Sequence, residues 1–219
     1  MLQLTPDILV RAYAAGVFPM AESADDPELF WVDPRRRGIL PLDAFHVPRR
    51  LRRVMRRRIF EIRCDSAFED VIRACAKAVD KRPNTWINDE IVRLYTALFS
   101  RGAAHTVECW RNGKVVGGLY GLSLGAIFFG ESMFSRETDA SKVALVHLVA
   151  RLRLGGFRLL DTQFLTPHLA RFGGIEISRA RYHRMLAEAL CYRGIFSSTL
   201  PDCSGGDPLA VLQSSKFTS

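Results

Sequence analysis

The sequence predicts an α+β fold built on an antiparallel meander of three strands that leads into a helix and a fourth strand. The clearest signal is Asn112-Gly113, a pair typical of two-residue hairpin turns, which lies between the apolar runs 105–110 and 115–122. A third apolar run, 126–133, extends the meander. A hairpin of this kind joins antiparallel strands.

Apolar periodicity and capping residues indicate helices after the meander. One helix runs from about Ala140 to Leu154 and ends at Gly155-Gly156. A strand at 158–163 and helices near 167–172 and 179–192 follow. A meander followed by helix, strand and helix is the order of the GNAT acyltransferase core, so we expect a GNAT-like core.

The first part of the chain predicts a small N-terminal α/β domain. Its helix begins after Thr5-Pro6 and ends at Gly16, and short strands are expected near 29–32 and 38–42. The next predicted elements are an arginine-rich helix at 47–58, a strand at 60–64, a helix at 67–78, a polar connection at 81–84 and a helix from the cap Asn88 to Gly102. We therefore predict an N-terminal domain at 1–44, a GNAT-like domain at 45–200 and a C-terminal tail at 201–219.

Composition limits the class of protein. The chain has 219 residues, enough for one well-buried domain with a small appendage, and 48% hydrophobic and 25% charged residues are typical of a globular protein. No apolar run predicts a membrane span or a signal peptide. Five widely spaced cysteines without a C-x-x-C pair favour reduced thiols in a cytoplasm over disulfides or zinc. Without a Walker loop or a metal-ligand cluster, we expect no cofactor and no metal.

Positive charge is concentrated in one segment. The net charge is +8, and eleven arginines lie between positions 35 and 63. In the predicted helix at 47–58, Leu51, Val54 and Met55 share one face, which leaves an arginine face suited to phosphate oxygens. Nucleic acid is the favoured partner of this arginine face, and a solvated basic face without a partner is the alternative. The sequence contains no motif for sequence-specific recognition of DNA. The candidate arginines are Arg49, Arg52, Arg53, Arg56 and Arg57.

Two acidic positions are candidates for chemistry. On a strand, Asp161 and Gln163 point to one face, where a carboxylate beside a carboxamide can orient an amine and accept developing positive charge. The alternative is an aspartate that caps the next helix, with an exposed glutamine. Glu131 has apolar neighbours in its strand, so its carboxylate faces a cleft or pairs with one of the arginines.

Trp86 and His168 are candidate site residues with less specific sequence signals. Trp86 follows a loop and precedes the cap Asn88, where it can stack on a nucleobase or pack as a hydrophobic staple. His168 has no metal-like spacing to the other histidines.

Several motifs together resemble the leucyl/phenylalanyl-tRNA–protein transferases. They span most of residues 12–190 and comprise Gly130-Glu131-Ser132-Met133-Phe134-Ser135, Leu160-Asp161-Thr162-Gln163, His168, Ala15-Gly16-Val17-Phe18-Pro19, Phe30-Trp31-Val32-Asp33-Pro34-Arg35, Thr85-Trp86-Ile87, Gly117-Gly118-Leu119-Tyr120-Gly121 and Ala140-Ser141-Lys142. Enzymes of this family move an amino acid from a charged tRNA onto the N-terminus of a protein. Met20 departs from the family, which commonly has tryptophan there.

The resemblance assigns roles to these positions. It implies that Asp161 and Gln163 are catalytic, that Glu131 attracts an acceptor protein beginning with Arg or Lys, and that Trp86 holds the terminal adenine of tRNA. It also implies an aminoacyl pocket for Leu, Phe or Met, at positions that pattern alone assigns to the core: Leu119, Phe128, Met133, Leu145, Leu148 and Leu160. The resemblance therefore implies a cytoplasmic aminoacyltransferase that marks proteins for N-end-rule degradation. The alternatives are a thioester-dependent N-acyltransferase and a basic RNA-binding protein without catalysis.

Overall fold

The computed structural model describes residues 4–24, 26, 28–77, 85–199 and 207–214. The protein has mixed α+β architecture, with helices on both faces of a large sheet. The strands are β1 (Phe18–Met20), β2 (Phe30–Val32), β3 (Arg36–Ile39), β4 (Glu61–Cys64), β5 (Ala104–Arg111), β6 (Lys114–Leu124), β7 (Ile127–Ser135), β8 (Leu159–Gln163) and β9 (Ile175–Ser178). The helices are α1 (Pro6–Ala14), α2 (Arg49–Arg56), α3 (Phe68–Ala76), α4 (Asp89–Ser100), α5 (Ala140–Leu154), α6 (Pro167–Ala170), α7 (Arg179–Leu190) and α8 (Pro208–Gln213).

The large sheet has seven strands in the order β4-β5-β6-β7-β8-β3-β9. Among the described strands, only β7 and β8 pair in parallel, and helix α5 connects them. The hairpin between β5 and β6 turns at Asn112 and Gly113, whose φ values of 50° and 72° are the left-handed conformations of a type I′ turn. The predicted meander and the strand after α5 are therefore confirmed.

Two apolar layers cover the sheet because neighbouring side chains along each strand point to opposite faces. One layer joins the sheet to α1, α3, α4 and α7 and includes Tyr13, Tyr95 and Phe129. The other joins it to α2, α5 and α8 and includes Leu119, Phe128 and Leu145. The predicted helices lie close to their expected bounds, and Thr5 and Asn88 cap α1 and α4 through their side chains.

Strand β3, which belongs to the first part of the chain, is a member of the large sheet. It pairs antiparallel with both β8 and β9. At Gly38, a Cβ atom would lie 2.5 Å from the carbonyl carbon of Phe164, so only glycine lets the segment after β8 pass this close. The segment predicted as a separate N-terminal domain thus contributes a strand next to β8.

Some elements differ from the prediction. Strands β1 and β9 were not expected, because each is only three or four residues long. Residues 208–213, which are part of the segment predicted as a tail, form helix α8, whose Leu209 and Val211 are buried. The predicted connection at 81–84 lies outside the described residues. In the described ranges of the chain, no helix is both long and apolar enough to cross a membrane.

Candidate active site

A cavity of about 300 Å³, here called the central cavity, opens between β6, β7, β8 and helix α5. This volume is at the small end of ligand sites, which range from roughly 300 to 1000 Å³. Its walls are mostly apolar, and its lining residues are Phe18, Met20, Trp86, Leu119, Tyr120, Gly130, Glu131, Ser132, Met133, Leu145, Leu148, Leu160, Thr162, Gln163, Phe164, Thr166, His168 and Leu169.

Five of the six residues expected in an aminoacyl pocket line the central cavity. They come from β6, β7, α5 and β8 and are Leu119, Met133, Leu145, Leu148 and Leu160. Phe128 is absent from this lining. Its ring is fully buried in the same apolar layer, where it stacks on Phe196 and meets Phe157 edge-on.

Gln163 reaches the central cavity because strand β8 ends there. Its φ of 55° breaks the alternation of the strand, so Gln163 joins Leu160 and Thr162 in lining the cavity. The expected shared face of Asp161 and Gln163 is therefore not formed. The amide of Gln163 makes more hydrogen bonds when Nε2 donates to the carbonyl oxygens of Gly130 and Thr162, at 2.9 and 3.1 Å, which turns Oε1 toward Glu131.

Asp161 lies behind the cavity wall in a buried ion pair. Its carboxylate accepts hydrogen bonds from Arg37, with Nη2 to Oδ2 at 2.6 Å, and from the Tyr182 hydroxyl at 2.7 Å. Its Oδ1 also accepts the backbone N–H of Gln163 at 2.8 Å. The side chains of Arg37 and Asp161 are 1% and 0% exposed, so this carboxylate is fully occupied by protein donors. Its contact with the backbone fixes the position of Gln163.

Glu131 is the acidic residue of the central cavity. The Tyr13 hydroxyl donates to Glu131 Oε1 at 2.7 Å, and a further hydrogen bond joins the hydroxyls of Tyr13 and Tyr95. The amide of Gln163 lies 3.4 Å from the same oxygen. Burial, reinforced by the charge of Asp161, raises the pKa of Glu131 to about 8.

Partly buried and exposed side chains also line the central cavity. Trp86 lines it and is partly buried, as is Met20 on β1. Phe164, which follows β8, lines it with 45% of its surface exposed. His168 on α6 lies at the edge, where its buried Nε2 has no hydrogen-bond partner among the described atoms.

The arginine face expected on α2 is present. Leu51 is buried below it, and Arg49, Arg53, Arg56 and Arg57 are exposed. Arg52 is partly buried, because its Nε donates to the carbonyl oxygen of Val47 at 2.9 Å. These charges form a surface separate from the lining of the central cavity.

Sequence reasoning missed several residues of this site, among them Tyr13, Arg37 and Tyr182, which contact the two carboxylates. Tyr13 lies four positions after Leu9 on the apolar face of α1, where it looks like any core residue. Arg37 belongs to a run of arginines and nothing in the sequence marks it as the buried one. In the described part of the chain, no group of three His, Cys, Asp or Glu side chains lies close enough to hold a metal ion.

The mixed sheet surrounds an apolar cavity with an amide and a carboxyl group at its wall, which suits an enzyme that binds an apolar group beside a polar one. Residues 39–187 match the family described as "Leucyl/phenylalanyl-tRNA protein transferase", and residues 3–35 match the N-terminal domain described for the same family. The chain therefore belongs to the leucyl/phenylalanyl-tRNA–protein transferase family and is an aminoacyltransferase.

Two relatives with this name are similar over nearly the whole chain. The protein from Paramagnetospirillum magneticum is 67% identical over 190 residues, which cover 87% of this chain and 91% of the relative. The protein from Rhodospirillum rubrum is 57% identical over 202 residues, covering 92% and 95%. A solved C-terminal domain of a putative lysylphosphatidylglycerol synthetase from Agrobacterium fabrum aligns with a TM-score of 0.44 and 14% identity, over 88% of this chain and 73% of that one.

Proposed function

We propose that this protein transfers leucine, and also phenylalanine or methionine, from aminoacyl-tRNA to the N-terminal arginine or lysine of acceptor proteins. The reaction forms a peptide bond and marks the acceptor for N-end-rule degradation in the cytoplasm. The observation that supports this most directly is the central cavity, whose apolar wall suits one aminoacyl side chain and whose polar groups, Glu131 and Gln163, suit an amine.

The apolar wall explains the choice of amino acid. An apolar side chain gains free energy when it leaves water for this wall, by about 25 cal/mol for each Å² of apolar surface buried, whereas a charged side chain would have no partner there. We assign the aminoacyl pocket to Leu119, Phe128, Met133, Leu145, Leu148 and Leu160, with Phe128 supporting it from the layer behind.

Gln163, Asp161 and Glu131 have different roles toward the acceptor protein. Gln163 contacts the reacting amine, and Asp161 acts through it by holding its backbone N–H. Glu131 attracts the cationic acceptor, since a carboxylate that pairs with a cation in a dry cavity is stabilised in its charged form.

Charged tRNA is held outside the cavity. We assign its phosphates to Arg49, Arg52, Arg53, Arg56 and Arg57, and its terminal adenine to Trp86 at the cavity opening. The β5–β6–β7 meander, α5 and the parallel strand β8 also support a GNAT-like origin for the catalytic core.

A transfer assay tests this function. tRNA charged with labelled leucine is mixed with the protein and with two peptides that differ only in an N-terminal Arg or Asp. We expect label on the Arg-initiated peptide, much less on the Asp-initiated peptide, and none when the peptide N-terminus is acetylated. Label lost only to water, or taken from a leucyl thioester and not from tRNA, would contradict the proposal.

A further inference from the structure

The transfer reaction requires a group that removes a proton. The N-terminal amine of a protein has a pKa of roughly 7.7–8.0, so at neutral pH most of it is an ammonium ion without a lone pair. It must lose a proton before its nitrogen can attack the ester carbonyl, and a positioned base typically contributes about 10² to 10⁴ in rate.

Asp161 and Gln163 do not meet this requirement. Both oxygens of Asp161 are occupied by donors, including Arg37 and Tyr182, and the side chain is 0% exposed and absent from the cavity lining. Gln163 reaches the cavity, but a carboxamide accepts hydrogen bonds without accepting a proton.

Glu131 is placed to remove the proton from the acceptor amine. Among the described residues that line the central cavity, it carries the one carboxyl group, and its Oε1 lies 3.4 Å from the amide of Gln163. With the Gln163 amide bonded to Gly130 and Thr162, Gln163 Oε1 and Glu131 Oε1 are two acceptors side by side, which matches the two N–H bonds of an attacking amine. We propose that Glu131 removes the proton from the acceptor amine, and that Tyr13 positions it for this step. This inference rests on the proposed function.

The electrostatic surroundings of Glu131 support this role. The charged and titratable groups that act on it include Tyr13 on α1, Tyr95 on α4, Arg37 on β3 and Asp161 on β8. Burial and Asp161 raise the pKa of Glu131 to about 8, while the two tyrosine hydroxyls and Arg37 oppose that rise. The shift brings the pKa of Glu131 nearer to that of an N-terminal amine than an ordinary carboxyl group has, so transfer of a proton between the two groups costs less free energy.

The acceptor nitrogen gives up two protons in the course of the transfer. Ionised Glu131 takes the first from the acceptor ammonium, and the freed lone pair forms a bond to the ester carbonyl carbon. The bond from that carbon to the ribose oxygen then breaks, and the ribose oxygen takes the second proton of the nitrogen. The products are an amide and a free ribose hydroxyl, and Glu131 releases its proton to solvent before the next turnover.

The experiment measures kcat against pH at saturating acceptor, for wild type, Glu131→Gln and Glu131→Asp. In Glu131→Gln, kcat should fall about a hundredfold at pH 6.5 and rise about tenfold for each pH unit up to pH 8, because the ammonium must lose its proton to solvent. Wild type should vary less over this range, because the acceptor cation in the cavity favours the ionised form of Glu131 in the complex. Glu131→Asp, which keeps a carboxylate, should recover part of the rate and the shallow profile.

A second titratable group that lines the cavity, His168, provides the comparison. His168 is an imidazole whose pKa is lowered by burial and whose Nε2 has no partner among the described atoms, so it too could take a proton. His168→Gln should keep the shallow profile of wild type, whatever its rate. A steep profile in His168→Gln, or a Glu131→Gln variant in which only the acceptor KM rises, would overturn the inference. Absence of transfer by wild type would instead remove the proposed function itself.

Discussion

Arg37 and Asp161 form a buried ion pair that joins the first part of the chain to the strand of the candidate catalytic residues. Nη2 of Arg37 lies 2.6 Å from Oδ2 of Asp161, and the guanidinium also lies over the rings of Phe18 and Tyr182. Since Asp161 in turn holds the backbone of Gln163, the ion pair sets the geometry of the cavity wall.

Breaking this pair should destabilise the protein. Asp161→Asn leaves Arg37 as a buried cation without its counter-ion, which typically costs about 3–5 kcal/mol. Urea unfolding measures the change in free energy. The matched control is Glu176→Gln, which breaks the exposed pair of Arg36 and Glu176 and should cost at most about 1 kcal/mol. Equal losses in the two variants would mean that burial does not strengthen the pair.

Removing the amide of Gln163 should slow the chemical step. Gln163→Ala is expected to lower kcat about a hundredfold with little change in the acceptor KM, because a group that acts on developing charge stabilises the transition state selectively. Steady-state transfer to an Arg-initiated peptide measures both constants. Gln213→Ala, the same substitution on the exposed side of α8, is the control and should match wild type. A change confined to KM would assign Gln163 to binding.

The exposed arginines of α2 should govern tRNA binding. Replacing Arg53, Arg56 and Arg57 with alanine is expected to weaken binding of tRNAs with different anticodons alike. It should also flatten the plot of log K against log salt, by roughly 0.7 to 0.9 for each phosphate that the protein no longer neutralises. Filter binding at several salt concentrations measures this slope. The control is a second triple variant, in which Arg73, Arg93 and Arg101 are replaced with alanine, so that the same number of charges is removed. If this control weakened tRNA binding equally, only the net charge of the protein would matter.

Trp86 should contribute to tRNA binding at the cavity opening. Trp86→Ala is expected to raise KM for charged tRNA by a factor of about 10 to 100, since stacking on a base contributes roughly 1–3 kcal/mol. Trp86→Phe, which keeps an aromatic ring, should restore KM for charged tRNA to near the wild-type value. The control is Trp31→Ala, because Trp31 lies opposite Pro19 on β1 and does not line the cavity. A fall in Tm without a change in KM would show that Trp86 serves packing.

Stability should depend on pH through Glu131. Its folded-state pKa of about 8 lies above the ordinary value of 4.5, so between these values the folded protein keeps a proton that the unfolded chain has released. The stability that this group contributes is complete below pH 4.5 and is lost as pH rises through 8. Glu131→Gln removes this pH dependence, so its stability relative to wild type should increase from pH 5 to pH 8, by on the order of 1 kcal/mol per unit. Parallel curves in urea unfolding would show that Glu131 ionises normally.

Local signals predicted most of the fold. The hairpin turn, the helix caps and the apolar runs all act over a few residues, so the meander, α1, α4 and α5 could be read from the sequence. The pairing of β3 with β8 could not, because it joins segments far apart in sequence and short strands carry little periodicity.

The site was predictable where the resemblance supplied residue types. Five of the residues expected in the aminoacyl pocket do surround one cavity. The different surroundings of Asp161 and Glu131 were not predictable, since they depend on which distant donors reach each carboxylate. Arg37 and Tyr13 reach them from elements whose positions only the folded chain defines.

The place of β3 between β8 and β9 has a consequence for biosynthesis. Arg37 and Asp161 are separated by 124 residues, and Arg37 cannot reach its partner until the ribosome has released β8. Until then β3 has no neighbouring strands, and pairings over such long separations form slowly because a large loop must close first. Assembly of the cavity wall is therefore a late event, and a nascent chain that still lacks β8 has no aminoacyl pocket. Variants that weaken the ion pair should accordingly slow refolding and lower the yield of active protein.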